Sequence, residues 1–216
     1  MSELLHPLET VTTIILMRHG HTEETEKGKL YNDPHVELTE SGLAQARELG
    51  HWLKEQSPDV LLCSTAQRVV STAKILEGAI GLPAQPIDGF NEWSVGDWEG
   101  RTYLDVKKNE PEAYKLWSSD PICHAPPGGE SISDLFERIR NRLPAIIKEN
   151  EGKKIALVTH AGVIRSIIVQ ALGMPIRNFW RISIPVGSAS KIDFSENFAT
   201  LHYLALLPLR FTDCAN

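Results

Sequence analysis

Hydrophobic and polar positions fall into two kinds of block along this chain. One is a short unbroken apolar run that stops at polar or small residues. The other is a longer stretch whose apolar positions return every three or four residues. Thr12 to Met17, Val60 to Cys63 and Lys154 to Thr159 belong to the first kind. Runs this short and apolar read as strands buried on both faces, as in a parallel sheet covered by helices. Leu43, Ala46, Leu49, Gly50 and Leu53 recur at helical spacing. They predict a helix opened by Thr39-Glu40-Ser41-Gly42, running to about Gln56 and broken by Ser57-Pro58-Asp59. Ser64 reads as the N-cap of a further helix, Thr65 to Ile80, with Gly81 as its stop.

The remaining blocks are shorter or less regular. Glu23 to Pro34 is polar and turn-rich, a mobile loop by composition. A short strand is expected near Ala84 to Ile87, with short helices over Tyr103 to Lys108 and Pro111 to Trp117. A long helix is predicted from about Ile132 to Asn150, kinked or broken at Pro144, because proline removes a helical hydrogen bond. A helix over Val163 to Leu172 follows. Trp180 to Ile184 and Ser188 to Phe194 read as paired strands, Ala199 to Leu206 as another, and residues 208–216 as a loose tail. Strand–helix–strand alternation of this sort predicts an α/β fold with a parallel sheet and right-handed crossovers. At 216 residues the chain fits one domain over 1–216, with residues 101–127 as an inserted cap.

Charge and cysteine usage narrow the function classes. A net charge of −6 argues against a general nucleic-acid or membrane-surface binder. No apolar run approaches the roughly 18 residues needed to span a bilayer, and the first seven residues lack the basic and apolar segments of a secretory signal. Cys63, Cys123 and Cys214 are odd in number and show no C-x-x-C spacing, so neither a disulfide framework nor a zinc site is indicated. Reduced thiols in a cytoplasmic protein are the expectation.

The candidate chemistry lies where two strands end. The first runs into Arg18-His19-Gly20-His21 and the later one into His160-Ala161-Gly162. In open α/β sheets ligands collect outside the carboxyl ends of the strands. Arg68, in the first turn of the helix after the second strand, falls on the same predicted edge. Arg18 and Arg68 there would make an anion pocket, since guanidinium forks match phosphate oxygens and a helix N-terminus favours negative charge. A neutral imidazole beside a bound phosphate can act as nucleophile, with a second histidine stabilising the equatorial oxygens. A carboxylic acid must protonate the leaving oxygen and then activate water, and Glu92, in the loop after a short strand, is the best candidate. No metal or other cofactor is needed.

Five segments, in order, resemble the histidine phosphatase (phosphoglycerate mutase-like) superfamily: Leu16 to Thr22, Ser64 to Ala73, Asn91-Glu92 with Gly96 to Gly100, Gly128 to Ser131, and Val158 to Arg165. The resemblance implies a three-layer α/β/α fold and His19 as the phosphorylated nucleophile. It also implies Arg18, Arg68 and His160 as the phosphate pocket and Glu92 as proton donor. It often has an asparagine six residues after the nucleophile, where this chain has Thr25, a hydroxyl able to give phosphate one hydrogen bond. An acid frequently found after the Arg-His-Gly is His21 here, a candidate substrate contact or an exposed loop residue. Trp93, Trp98 and Trp117 are candidates for an apolar rim over the pocket, core packing being the commoner role of tryptophan.

The resemblance leaves a choice of acceptor. Mutase members have a longer insertion with an arginine pair for the substrate's carboxylate; this insertion offers Arg101, Lys107 and Lys108 without adjacent arginines. A short, weakly cationic cap favours water, so a phosphatase acting on a small-molecule phosphomonoester is expected, of α-ribazole or broad specificity. The alternatives are mutase-type phosphoryl transfer, a non-catalytic phosphate-binding module, and metal-dependent hydrolysis through His19 and His21. The metal alternative lacks further ligands at strand ends and sets Arg18 beside a dication. The oligomeric state is open, with the terminal strands offering an edge for a homodimer.

Overall fold

The computed structural model describes residues 10–208. The stretch read for a secretory signal, and all but the first residue of the expected tail, lie outside them. Six strands form one sheet: β1 (Thr12–Arg18), β2 (Val60–Cys63), β3 (Ala84–Pro86), β4 (Lys154–Thr159), β5 (Ala189–Phe194) and β6 (Ala199–Leu206), in the order β3-β2-β4-β1-β5-β6. The first four in that order run parallel, while β5 and β6 are antiparallel additions at the β1 side.

Alternation along β1 explains the layers. Ile14 and Leu16 point into one core with Leu135, Ile139, Ile164 and Ile168. Those partners lie on α6 (Ile132–Glu149) and α7 (Ala161–Ala171). Ile15 and Met17 point the other way, among Leu49, Leu53, Val69 and Ala73, carried by α2 (Glu40–Gln56) and α3 (Gln67–Ile80). All four β1 side chains are fully buried. Each contributes on the order of 1.5–3 kcal/mol, so both faces of the central strand are covered and the apolar run has no polar alternation. Residues 101–127 carry α4 (Tyr103–Asn109) and α5 (Pro111–Ser119). Arg101 braces them, its guanidinium bonding Asp105 and Glu110.

Register sets the functional edge. β1 and β4 pair with Met17 opposite Val158 and Arg18 opposite Thr159. The next residue of each strand is a histidine, so His19 and His160 leave the sheet side by side.

Several expectations are corrected. The loop over 23–34 holds a short helix, α1 (Glu23–Glu26), because Thr22 Oγ1 accepts the Thr25 N–H at 3.2 Å and caps it. Ser64 does not cap α3. That helix starts after Ala66, which makes no side-chain cap bond. α6 runs unbroken past Pro144, held by the buried stripe Leu135, Ile139, Leu143 and Ile146. α7 begins two residues earlier than its periodicity suggests, immediately after His160. Trp180 to Ile184 is not a strand. A 3₁₀ turn spans Ile176–Arg181, and the carbonyls that a ladder would use are taken by side chains: Ile182 O accepts from Arg165 Nε at 2.7 Å and Ile184 O from Arg18 Nη1 at 2.6 Å. β5 pairs instead with β1 and β6.

Candidate active site

His19 continues the ladder beyond β1, its N–H donating to Thr159 O at 3.1 Å and its carbonyl accepting from Gly187 N at 3.0 Å. A backbone held on both sides fixes the ring. Its Nδ1 lies 2.8 Å from Gly20 O. A carbonyl can only accept, so Nδ1 carries the proton and Nε2 keeps its lone pair. Burial, reinforced by the Arg18 and Arg68 charges, lowers the His19 pKa well below the ordinary imidazole value, against the Gly20 hydrogen bond. The ring is neutral.

Gly20 allows a close crossing of chain on chain. A Cβ there would stand 2.4 Å from Gly42 O, and one on Gly42 would stand 2.2 Å from His21 O. The turn after the histidine thus lies directly on the first turn of α2, and the close approach is to backbone.

His160 is fully buried, its ring centroid 5.4 Å from that of His19 at an interplanar angle of 64°. Arg68 Nη2 donates toward its Nδ1 at 3.3 Å. Nδ1 is therefore the acceptor and Nε2–H faces Ser64 Oγ at 2.8 Å. Burial first, then Arg68, His19 and Arg18, pushes its pKa well down as well. Two neutral imidazoles face each other under two guanidinium groups.

Those guanidiniums are only partly satisfied. Arg68 is fully buried, donates from Nη1 to Asp33 O at 2.8 Å and lies 4.8 Å from the Tyr31 ring centroid. Arg18 is held by Ile184 O. The Nε atoms of both are buried without a hydrogen-bond partner. Buried N–H groups on two cations, left unpaired, suit an anion.

Glu92 reaches the same edge from the loop after β3. Its Oε2 accepts the Gly162 N–H at 3.1 Å and its Oε1 the Trp93 N–H at 3.2 Å. Its carboxyl group therefore sits at the N-terminus of α7. A Cβ at Gly162 would stand 2.2 Å from Glu92 Oε1, so this glycine makes room for the acid.

The structure thus gathers His19, His160, Arg18, Arg68 and Glu92 around one sheet edge. Thr25 lies one link further out: its Oγ1 bonds Thr22 Oγ1 at 2.9 Å and Tyr31 OH at 2.8 Å, and Tyr31 is the ring under Arg68. His21 is turned to the start of α2, Nδ1 on Thr39 Oγ1 at 2.9 Å and N–H on Gln45 Oε1 at 2.8 Å, and takes no part in the contacts that join the imidazoles. Trp93 is buried with its ring 6.3 Å from that of Trp180. Trp98 and Trp117 pack edge to face at 5.5 Å within the hydrophobic core.

Three contributors escape a sequence reading. Ser64 anchors His160. Thr72 Oγ1 accepts the Gly20 N–H at 3.2 Å and donates to Arg68 O, coupling the turn to α3. Arg138 forks onto Glu130 and donates from Nη1 to Gly89 O at 2.8 Å and Asn91 O at 3.0 Å, bracing the Glu92 loop. Only Ser64 carries a signal, a small polar residue at a strand's carboxyl end. Among the described residues no group of three or more His, Cys, Asp or Glu is placed to hold a metal ion. No described helix is long and apolar enough to cross a membrane.

Comparison with known proteins adds kinship to geometry. A sequence description of the histidine phosphatase superfamily (branch 1) matches residues 14–206. An adenosylcobalamin/α-ribazole phosphatase of Escherichia coli is 32% identical over 189 residues, covering 88% of this chain and 93% of the relative. A phosphoglycerate mutase-like protein 4 of Arabidopsis thaliana is 35% identical over 161 residues, 73% of this chain and 70% of that one. The crystal structure of the α-ribazole phosphatase from Shigella flexneri superposes with a TM-score of 0.83 at 30% identity, covering 90% of this chain and 96% of the other.

Proposed function

The chain belongs to the histidine phosphatase superfamily, and within it we propose that the protein hydrolyses a small-molecule phosphomonoester through a phosphohistidine on His19. In this reading Arg18 and Arg68 seat the phosphoryl oxygens. His19 Nε2 attacks phosphorus, the ester P–O bond breaks, and the carboxylic acid of Glu92 gives its proton to the departing oxygen. Water then attacks the phosphohistidine, passes a proton to the Glu92 carboxylate, and releases phosphate while His19 regains its lone pair. His160 and the two arginines lie where charge develops on the equatorial oxygens, the main requirement of phosphoryl transfer. Thr25 acts in this scheme through Tyr31, under Arg68.

The observation that carries the reading is the pairing of a lone-pair Nε2 on a neutral, backbone-fixed His19 with two buried guanidiniums whose Nε–H groups lack partners. A module that only bound phosphate would need the cations but neither the oriented imidazole nor the acid. Water is favoured over a second substrate as acceptor because Arg101 is committed to Asp105 and Glu110 within the cap and is not available to hold a substrate carboxylate. The substrate assigned in this reading is an α-ribazole-type phosphate or a range of small phosphomonoesters, in the cytoplasm.

The test is release of inorganic phosphate from a panel of phosphorylated metabolites, without a bisphosphate primer, by the parent protein and by His19→Ala. Hydrolysis lost in the variant is the expected outcome. Strict primer dependence with isomerised product, or hydrolysis undiminished in His19→Ala, would overturn the proposal.

A further inference from the structure

Much of what fixes Arg68 and its helix comes from a strap of chain over residues 30–34, between α1 and α2. Asp33 O accepts from Arg68 Nη1 at 2.8 Å, and the Tyr31 ring lies under the guanidinium. Pro34 O accepts the Gln67 N–H at 2.7 Å, at the first turn of α3. The strap is tied in turn to the stretch that leads into the cap. Leu30 N donates to Arg101 O and Gly100 N to Leu30 O, each at 2.8 Å. Nearer to Arg68 the ties are made by a side chain, Glu99.

Glu99 Oε2 accepts the Asn32 N–H at 2.8 Å, and Oε1 accepts the Asn32 and Asp33 N–H groups at 3.0 and 3.1 Å. Bonds to an ionised acceptor are roughly twice as strong as neutral ones. The carbonyl that receives Arg68 belongs to the same Asp33, so carboxylate and guanidinium grip that residue from its two ends. Glu99 is itself held on a firm base. Trp98, before it, is fully buried with its indole Nε1 on Glu110 Oε2 at 3.2 Å, and Glu99 N donates to Gly96 O at 3.1 Å. The Glu99 side chain is exposed, where water alone would satisfy a carboxylate. Its contacts serve the strap more than the acid.

We propose that Glu99 is a positioning residue for the phosphate pocket, clasping the strap so that Asp33 O and the Tyr31 ring hold the Arg68 guanidinium on the phosphoryl oxygens. The inference rests on the reading of Arg68 as a phosphate ligand, and it gives Glu99 no contact with substrate. Without the clasp the strap keeps its ties at Leu30 and Pro34 but loses those at Asn32 and Asp33. Asp33 O is then free to leave Nη1. Arg68 keeps its charge but not its aim, while His19 and Glu92 are untouched.

The test is the Kd of inorganic phosphate by titration calorimetry, which needs no turnover, beside Tm and kcat/KM for propyl phosphate and 2,4-dinitrophenyl phosphate. In Glu99→Ala the Kd is expected to rise about 10-fold, the lower end for a lost hydrogen bond to a charged group. The kcat/KM should fall at least as far on both esters alike, because Arg68 holds the phosphoryl group and not the leaving oxygen. Glu99→Gln should stay within about threefold of the parent, since Oε1 alone meets both N–H groups and a glutamine carbonyl can take its place. Should Glu99→Ala not fold, Glu99→Asp, too short to reach both N–H groups, carries the same expectation. A phosphate Kd unchanged in Glu99→Ala, even with a lowered Tm, would show a merely structural role and overturn the proposal. So would a loss confined to propyl phosphate, which would place the effect on Glu92, or a Glu99→Gln as impaired as Glu99→Ala. If the parent binds phosphate but hydrolyses neither ester, the phosphatase reading fails and the Kd alone decides the clasp. A parent that binds no phosphate overturns both.

Discussion

A methyl group at position 162 should act on the proton donor alone. The Cβ of Gly162→Ala would stand 2.2 Å from Glu92 Oε1, against an ordinary contact of roughly 3.4 Å, while Leu135 Cδ2 at 3.2 Å can give way by a few tenths. The carboxylate must therefore move by about 1 Å. Misplacing a catalytic group by that much costs on the order of 10²-fold, within the 10²–10⁴-fold that a general acid supplies. The helix itself should not suffer, since alanine is favoured over glycine in α7 by about 1 kcal/mol. The expected result is a fall in kcat/KM of about 100-fold, or about 2.7 kcal/mol, for alkyl phosphates. For 2,4-dinitrophenyl phosphate, whose leaving group needs no proton, the loss of the phosphorylation step should be slight. The assay is kcat/KM for both substrates, which reports on phosphoenzyme formation and not on the later attack of water, with a circular-dichroism check on folding, repeated on Glu92→Gln. Because both changes disable one group, adding Gly162→Ala to Glu92→Gln should cost less than about threefold more. Equal losses of kcat/KM on the two substrates, or near-parental kcat/KM on alkyl phosphates, would refute the assignment of Glu92.

Other perturbations separate the remaining groups. Both imidazoles are held neutral by burial and by arginine charges, so below the ordinary histidine pKa of about 6.5 the unfolded chain takes up two protons that the folded one refuses. Stability from this source is complete above that pH and declines as pH falls, by up to about 2.7 kcal/mol per unit for the pair. Urea titrations at pH 7.5 and 5.5 should show the drop, halved in His19→Gln; an unchanged midpoint would contradict the neutral pair. Ser64→Ala strands the buried His160 Nε2–H, which should cost about 1–3 kcal/mol of stability, read from the same denaturation midpoints, and lower kcat in parallel. Arg138→Lys loses the fork that ties Glu130 to the Gly89 and Asn91 carbonyls. It should lower kcat while leaving the inhibition constant of inorganic phosphate within about threefold, since a point charge does not replace a planar fork. Gly42→Ala sets a methyl 2.2 Å from His21 O and should lower stability by about 1–3 kcal/mol, measurable as a drop in Tm.

What the sequence determines by itself is periodicity, and periodicity says which face of an element is buried. The apolar runs of β2 and β4 and the helical spacing of α2 are legible because each must cover a buried face. Two such runs ending in histidine already place His19 and His160 at one edge, since strands buried on both faces run parallel and end together. Tertiary structure decides which distant polar groups meet, because that depends on register and crossing, to which a local pattern is blind. Ser64 has the chemistry of a helix cap, but pairing of β2 with β4 delivers it to His160 before any helix begins. Trp180 to Ile184 has the composition of a strand, but Arg18 and Arg165 capture its carbonyls, so no ladder forms. Arg138 sits on a helical face with nothing in its spacing to tie it to Glu92, and only the folded chain lays that loop across it.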